Sequence, residues 1–168
     1  MQLDHRQAGD HVPETDFRIR DGEAWRDLGY DELFTGRTVV VFALPGAFTP
    51  TCTSTHLPGF SMLAEEFKAK GVDGIYCLSV NDWFVMEAWR KSLNVGDEVT
   101  MLPDGNTDFT DQMGMLVEKR NLGFGERSWR YAMIVKDGVI ESIFVEDTQD
   151  PGDPFEVSSA PYVLKHLS

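Results

Sequence analysis

Cys52 stands where a thiol could act as a nucleophile. The apolar, β-branched run over residues 38–44 predicts a central strand buried on both faces. Prolines and a glycine within residues 45–50 end that strand, and apolar residues over 57–67 then recur with helical spacing. Cys52 is therefore predicted to lie at or just inside the start of a helix that follows a buried strand.

This position favours a reactive thiol over an inert one. Unpaired backbone N–H groups at a helix start favour an anion, and the thiolate is the reactive form of cysteine. Thr51 and Thr53 flank Cys52, and Thr49 can hydrogen-bond the thiolate or an incoming oxygen. The alternative is a buried core cysteine beside helix-capping threonines, since free cysteine is among the most buried residue types. The crowding of prolines, glycine and hydroxyls into one polar turn argues against that alternative.

The stretch Pro-Gly-Ala-Phe-Thr-Pro-Thr-Cys-Thr, residues 45–53, resembles the signature of the peroxiredoxins. Its continuation, Ser-Thr-His-Leu-Pro-Gly-Phe, is similar to the type II (Prx5) branch, and closest to the peroxiredoxin part of bacterial glutathione-dependent hybrid proteins. Further matches are Leu-Ser-Val-Asn-Asp at 78–82, Arg-Ser-Trp-Arg-Tyr at 127–131 and Pro-Gly-Asp-Pro-Phe-Glu-Val-Ser at 151–158. The resemblance spans residues 13–167 and implies a thiol peroxidase on a thioredoxin-like fold.

The resemblance implies a catalytic set around the cysteine. Cys52 would attack a hydroperoxide, Thr49 would position the peroxide, and Pro45 would shape and shield the pocket. Arg130 would supply a permanent cation with a planar fork of donors. Arg127 is the expected supporting partner of that arginine.

The second cysteine, Cys77, lies in the apolar run 75–80 and is predicted to be a buried core thiol. Some plant type II relatives place a resolving cysteine at this separation, so a disulfide with Cys52 stays open. That bond would need the two Cα atoms within about 7 Å and an unwound helix start. Val157 occupies the position where other members carry a C-terminal resolving cysteine, which excludes that version of the mechanism.

The oxidised sulfur is therefore expected to be reduced by an external thiol, with glutathione favoured and glutaredoxin or thioredoxin as alternatives. Hybrid relatives carry a fused glutaredoxin domain; this sequence ends at Ser168, so a separate partner is expected. The resemblance also implies a homodimer packed through loops near Phe48, Trp83 and Phe84.

Histidine offers two further interpretations. His56 follows Cys52 at helical spacing, which allows a Cys–His pair as in cysteine hydrolases, but a bond to a neighbouring loop is favoured. His5, His11 and His166 form no metal-ligand spacing with the cysteines, so neither a metal nor a bound cofactor is expected.

The composition of the chain limits the kinds of molecule that it could bind. The chain has 28 acidic against 15 basic residues, a net charge of −13, which argues against nucleic acid and anionic membranes. No apolar stretch is long enough to cross a bilayer, and the charged start of the chain lacks a signal-peptide core. Two cysteines without an export signal indicate the cytoplasm.

The element pattern predicts an α/β fold, a thioredoxin-like sandwich with a mixed central sheet flanked by helices, in a single domain over residues 1–168. A helix from about residue 51 to 70 should end at Gly71, and Pro58 should kink it or loosen its first segment. A second helix, capped near Asp82, should turn one face to the core. The residues predicted on that face are Phe84, Ala88, Val85 and Trp89.

Two rival functions remain. A thioredoxin-type disulfide reductase would need Cys-x-x-Cys, and Thr55 stands where the second cysteine would be. A non-catalytic, redox-regulated binding module such as a peroxide sensor or chaperone differs from an enzyme in lacking turnover with a thiol donor.

Overall fold

The elements follow one another as short, regular pieces in the computed structural model, which describes residues 1–167. They are β1 (Phe17–Asp21), β2 (Ala24–Leu28), α1 (Tyr30–Leu33), β3 (Thr38–Ala43), a π-helical turn (Cys52–His56), α2 (Leu57–Met62), α3 (Ala64–Ala69), β4 (Gly74–Ser79), α4 (Trp83–Ser92), β5 (Thr100–Pro103), α5 (Asp108–Met113), β6 (Leu116–Glu118), a 3-10 turn (Arg120–Leu122), β7 (Glu126–Ser128), β8 (Tyr131–Lys136), β9 (Val139–Val145) and α6 (Ala160–Lys165).

The central sheet is mixed, as predicted. Its strand order is β5-β4-β3-β8-β9, with parallel pairs on the β4 side of β3 and antiparallel pairs on the β8 side. Alternate side chains of β3 enter two separate cores, Val39 and Val41 on one face and Val40 and Phe42 on the other. Burial on both faces explains why β3 is a continuous apolar run rather than an alternating one. This is the predicted thioredoxin-like α/β sandwich.

The helix predicted from residue 51 to 70 is present but interrupted. It opens with the π-helical turn, continues as α2, breaks at Leu63 and resumes as α3. Gly71 follows at φ +90, a left-handed conformation suited to the residue after a helix end, so the predicted stop is correct. Pro58, in the first turn of α2, cannot donate a backbone bond.

The predicted core face of α4 is partly wrong. Trp89 is buried as expected, but Phe84 is 56% exposed, Ala88 is exposed, and Met86 takes the second core position. The indole N–H of Trp89 donates to Thr53 Oγ1 at 3.0 Å, which fixes the helix with its other face outward. Asp82 does cap the helix, since its Oδ1 accepts from the Val85 N–H at 2.9 Å.

A short hairpin lies outside the central sheet. The β6–β7 hairpin was not predicted, and its three-residue strands are too short to show a period in sequence. Within residues 1–167 no helix is long and apolar enough to cross a membrane, and no cluster of His, Cys, Asp or Glu side chains could hold a metal ion.

Candidate active site

Strand register brings Cys52 and Arg130 together although they are far apart in sequence. Cys52 lies in the first turn of the helical stretch that follows β3. Arg130 directly precedes β8, whose first residue, Tyr131, pairs with Ala43 at the end of β3. The Arg130 guanidinium therefore reaches the start of the helix, where Nη2 donates to Cys52 Sγ at 3.2 Å. The sulfur-bearing residue is fully buried.

Arg130 is itself buried, only 1% exposed, and its donors are shared among three partners. Besides Cys52, its Nη1 lies 2.6 Å from His56 Nδ1. Its Nη2 donates to both carboxylate oxygens of Asp153 at 2.8 Å, and its Nε donates to Oδ1 at 3.1 Å. The Phe155 ring lies 5.5 Å from the guanidinium carbon. A buried cation needs such partners, because an unpaired charge away from water is very unfavourable.

His56 is a neutral acceptor for this arginine. Its Nε2 lies 2.9 Å from the carbonyl oxygen of Ser158, to which only an N–H can donate, so Nδ1 is left to accept from Arg130. Burial, and secondarily the charge of Arg130, lower the pKa of His56 well below its ordinary value. Both ring nitrogens are thus engaged by Ser158 and Arg130. The predicted bond to a neighbouring loop is confirmed, and the hydrolase-like Cys–His pair is wrong.

The turn before Cys52 is held by backbone carbonyl groups. Thr49 is half-buried, and its hydroxyl donates to Gly46 O at 2.7 Å. Pro45 is buried, and its carbonyl accepts from Arg127 Nη1 at 3.2 Å. A Cβ at Gly46 would lie 2.6 Å from that same nitrogen, so the close approach of Arg127 requires glycine. Arg127 also donates from Nε to Phe124 O at 3.1 Å, which makes it a brace for the turn.

Cys77 is a core thiol, as predicted. It lies in β4 beside Phe42 of β3, is fully buried, and shares a core cluster with Cys52. Burial raises the pKa of the Cys77 thiol well above its ordinary value, so this group stays protonated at neutral pH. Both cysteines are free thiols in this structure.

Sequence reasoning missed Asp153 and Ser158, which contact Arg130 and His56. The stretch 151–158 contributed only to the family resemblance. One signal was available: a buried arginine requires an anion, and Asp153 lies between two prolines that restrict the backbone around it. Lys119 was also missed; it is 3% exposed, and its Nζ donates to Gly152 O at 2.6 Å.

The neutral state of His56 predicts a loss of stability in mild acid. Because its pKa is lower folded than unfolded, the unfolded chain takes up the proton first as the pH falls below about 6.5. The free energy of unfolding should then fall by at most about 1.4 kcal/mol per pH unit from this group. In His56→Gln that part of the fall should vanish, although the variant is less stable overall. Urea unfolding between about pH 7.5 and 5.5 measures it.

The exposed His166 provides the matched control, because His166→Gln makes the same substitution away from the buried cluster of Arg130 and His56. An identical slope in wild type and His56→Gln would show that His56 does not titrate differently on folding.

Known proteins resemble this chain over nearly its whole length. The redoxin family matches residues 7–164. The hybrid peroxiredoxin hyPrx5 of Haemophilus influenzae is 54% identical over 160 residues, which cover 95% of this chain and 66% of the relative. The chain thus spans just under two thirds of the hybrid protein's length. A Synechocystis peroxiredoxin is 57% identical over 146 residues, covering 85% of this chain and 77% of the relative.

Among solved structures, reduced Prx3 of Vibrio vulnificus in complex with hydrogen peroxide superposes with a TM-score of 0.87 at 42% identity. The superposition covers 96% of this chain and 98% of that one. Sequence and fold therefore agree, and the chain belongs to the redoxin family and, within it, to the peroxiredoxins, which are thiol peroxidases.

Proposed function

We propose that this chain reduces hydrogen peroxide and alkyl hydroperoxides, with the Cys52 thiolate as the attacking group. The contact of 3.2 Å between Arg130 Nη2 and the buried Cys52 sulfur carries the proposal. A guanidinium never deprotonates at neutral pH, so Arg130 presents a permanent positive charge to the sulfur throughout the physiological range. The surrounding protein excludes water, which strengthens that attraction.

The reaction transfers one oxygen to sulfur. The thiolate attacks the nearer peroxide oxygen, the O–O bond breaks, and the sulfur is oxidised to sulfenic acid. The departing oxygen leaves as hydroxide or alkoxide and takes up a proton to become water or alcohol. Charge thus moves from sulfur to the leaving oxygen, and fixed donors such as Arg130 serve both ends of that path.

Thr49 and Pro45 are proposed to shape the peroxide site. The Thr49 hydroxyl already donates to Gly46 O, so its lone pairs can accept from the O–H of a hydroperoxide. Pro45 has no N–H, and its buried ring is proposed to form one wall of the peroxide site. Arg127 is proposed to hold this wall through its bond to the Pro45 carbonyl.

Recycling is proposed to use an external thiol, most simply glutathione. Attack of one glutathione on the sulfenic acid gives a mixed disulfide and water, and a second glutathione releases the Cys52 thiol and glutathione disulfide. Glutaredoxin could supply the second thiol. A role of Cys77 as the resolving thiol is disfavoured because burial keeps it protonated within the sheet.

The proposal also covers the location and the assembly of the protein. Two cysteines that stay free suit the reducing cytoplasm. A homodimer is proposed through the aromatic side chains near the active-site turn, since Phe48 and Phe84 are more than half exposed and Phe84 packs edge-on against Trp83.

Arg130→Lys should lower the rate constant of Cys52 oxidation by hydrogen peroxide about a hundredfold or more. An ammonium group cannot reach Cys52, His56 and Asp153 together, as the guanidinium fork does. Stopped-flow fluorescence of the reduced protein measures the rate. Arg127→Lys is the matched control and should lower that rate constant much less. A larger fall in Arg127→Lys than in Arg130→Lys would overturn the assignment of Arg130 as the cation beside the sulfur.

Cys52→Ser should abolish turnover while leaving the fold intact, because serine is nearly isosteric but a poor nucleophile at neutral pH. The measurement is steady-state peroxide consumption with glutathione, glutaredoxin or thioredoxin as donor, alongside circular dichroism. Residual turnover above a few per cent would exclude Cys52 as the nucleophile.

Cys77→Ala should keep glutathione-supported turnover, although removing a buried sulfur costs some stability. Wild-type protein treated with peroxide and then glutathione should carry a glutathione adduct on Cys52, detected by mass spectrometry. A dominant Cys52–Cys77 disulfide, together with lost turnover in Cys77→Ala, would establish the two-cysteine mechanism instead.

A further inference from the structure

Glu146 is a buried carboxylate, 2% exposed, that follows β9. No lysine, arginine or histidine of residues 1–167 forms an ion pair with it. Its charge is satisfied only by hydrogen-bond donors. A carboxylate in such a place is costly to bury, and each of its donors must be held in position.

All the donors to this carboxylate come from one segment, residues 153–158. The Glu156 N–H lies 2.8 and 2.9 Å from the two oxygens. The N–H and the hydroxyl of Ser158 donate to Oε2 at 2.8 and 2.7 Å. Glu146 therefore fixes the 153–158 segment at two points.

The same segment supplies the partners of the active-site cation. Asp153 binds the Arg130 guanidinium, and the Ser158 carbonyl accepts from His56. The ring of Phe155 lies between these contacts, 4.9 Å from the His56 ring. Cys52, the other partner of that cation, is fully buried.

Glu146 also holds the backbone on the other side of the site. Its N–H donates to Arg130 O at 3.2 Å, and its carbonyl accepts from the indole N–H of Trp129 at 2.9 Å. One residue thus fixes both the chain that carries Arg130 and the segment that orients its side chain.

We propose that Glu146 is a positioning residue with two effects on Cys52. It holds Arg130 against the sulfur, and it keeps the 153–158 segment closed over the site, which limits access of larger thiols and alkylating reagents. The inference rests on the proposed function, in which Arg130 promotes attack by Cys52. When the segment is released, the intrinsic reactivity of Cys52 should fall, whereas access to its sulfur should increase.

Glu146→Gln tests this, because the amide keeps the shape but replaces one acceptor oxygen by an N–H₂ group facing the segment's donors. The rate constant for Cys52 oxidation by hydrogen peroxide should fall about tenfold to a hundredfold, as expected for a misplaced catalytic group. Alkylation of Cys52 by iodoacetamide should become faster. It is measured at about pH 9.5, where free thiols are ionised, so that the rate reports access to the sulfur.

Cys77 serves as the internal reference, with peptide mass spectrometry assigning each adduct. Local release exposes Cys52 alone, whereas global loosening also exposes Cys77 in the central sheet. Glu141→Gln, on the exposed face of β9, removes a carboxylate without touching the segment and should leave both rates unchanged.

Three results would overturn the inference. They are unchanged rates in Glu146→Gln, a fall in both rates, and parallel exposure of Cys52 and Cys77. If Glu146→Gln does not fold, Ser158→Ala removes only the 2.7 Å bond and should shift both rates in the same directions by less; unchanged rates there would overturn it equally. Turnover retained in Cys52→Ser would instead refute Cys52 as the attacking group, the part of the proposed function on which this inference rests.

Discussion

The structure around the active site depends on a permanent positive charge placed out of reach of water. Arg130 is 1% exposed, and a guanidinium cannot escape burial by losing its proton. Its donors must therefore be met by acceptors, and Cys52 Sγ is one of them. The dependence is mutual: the arginine presents a permanent charge to the sulfur, and it tolerates burial because the sulfur and Asp153 accept its donors.

The charges of this cluster are closely balanced. Arg130 and Asp153 cancel formally, so a Cys52 thiolate adds one uncompensated negative charge. Neutral His56 adds none, whereas a carboxylate in its place would oppose the thiolate. The remaining compensation comes from the N–H groups at the helix start and from Lys119, whose ammonium binds Gly152 O next to Asp153. Asp153 thus orients the arginine, but its negative charge also offsets part of the positive charge that Arg130 presents to the sulfur.

The sequence was sufficient for the parts of this arrangement that rest on local pattern. Buried β3, the turn after it and the placement of Cys52 follow from apolar runs and from proline and glycine chemistry. The outward face of α4 could not be predicted, because it depends on the bond from Trp89 to Thr53, two residues on different helical segments. Glu146 gave no signal either. Its partners lie in a loop without periodicity, and only the fold brings them near.

Pro58 offers a physical reason for the unusual turn at Cys52. A proline ring crowds the carbonyl four residues earlier and leaves it without a donor, and a wider turn ahead of the proline relieves both conflicts. Here the Leu57 N–H bonds to Cys52 O, five residues back, which closes the π-helical turn Cys52–His56.

Cys52 and His56, four residues apart in this turn, lie on one face of the helical stretch, so one guanidinium can contact both. The wide turn coincides with Cys52, the proposed nucleophile. To reach the buried Cys52 sulfur, a second thiol needs the chain around it to open, at this turn or at the 153–158 segment.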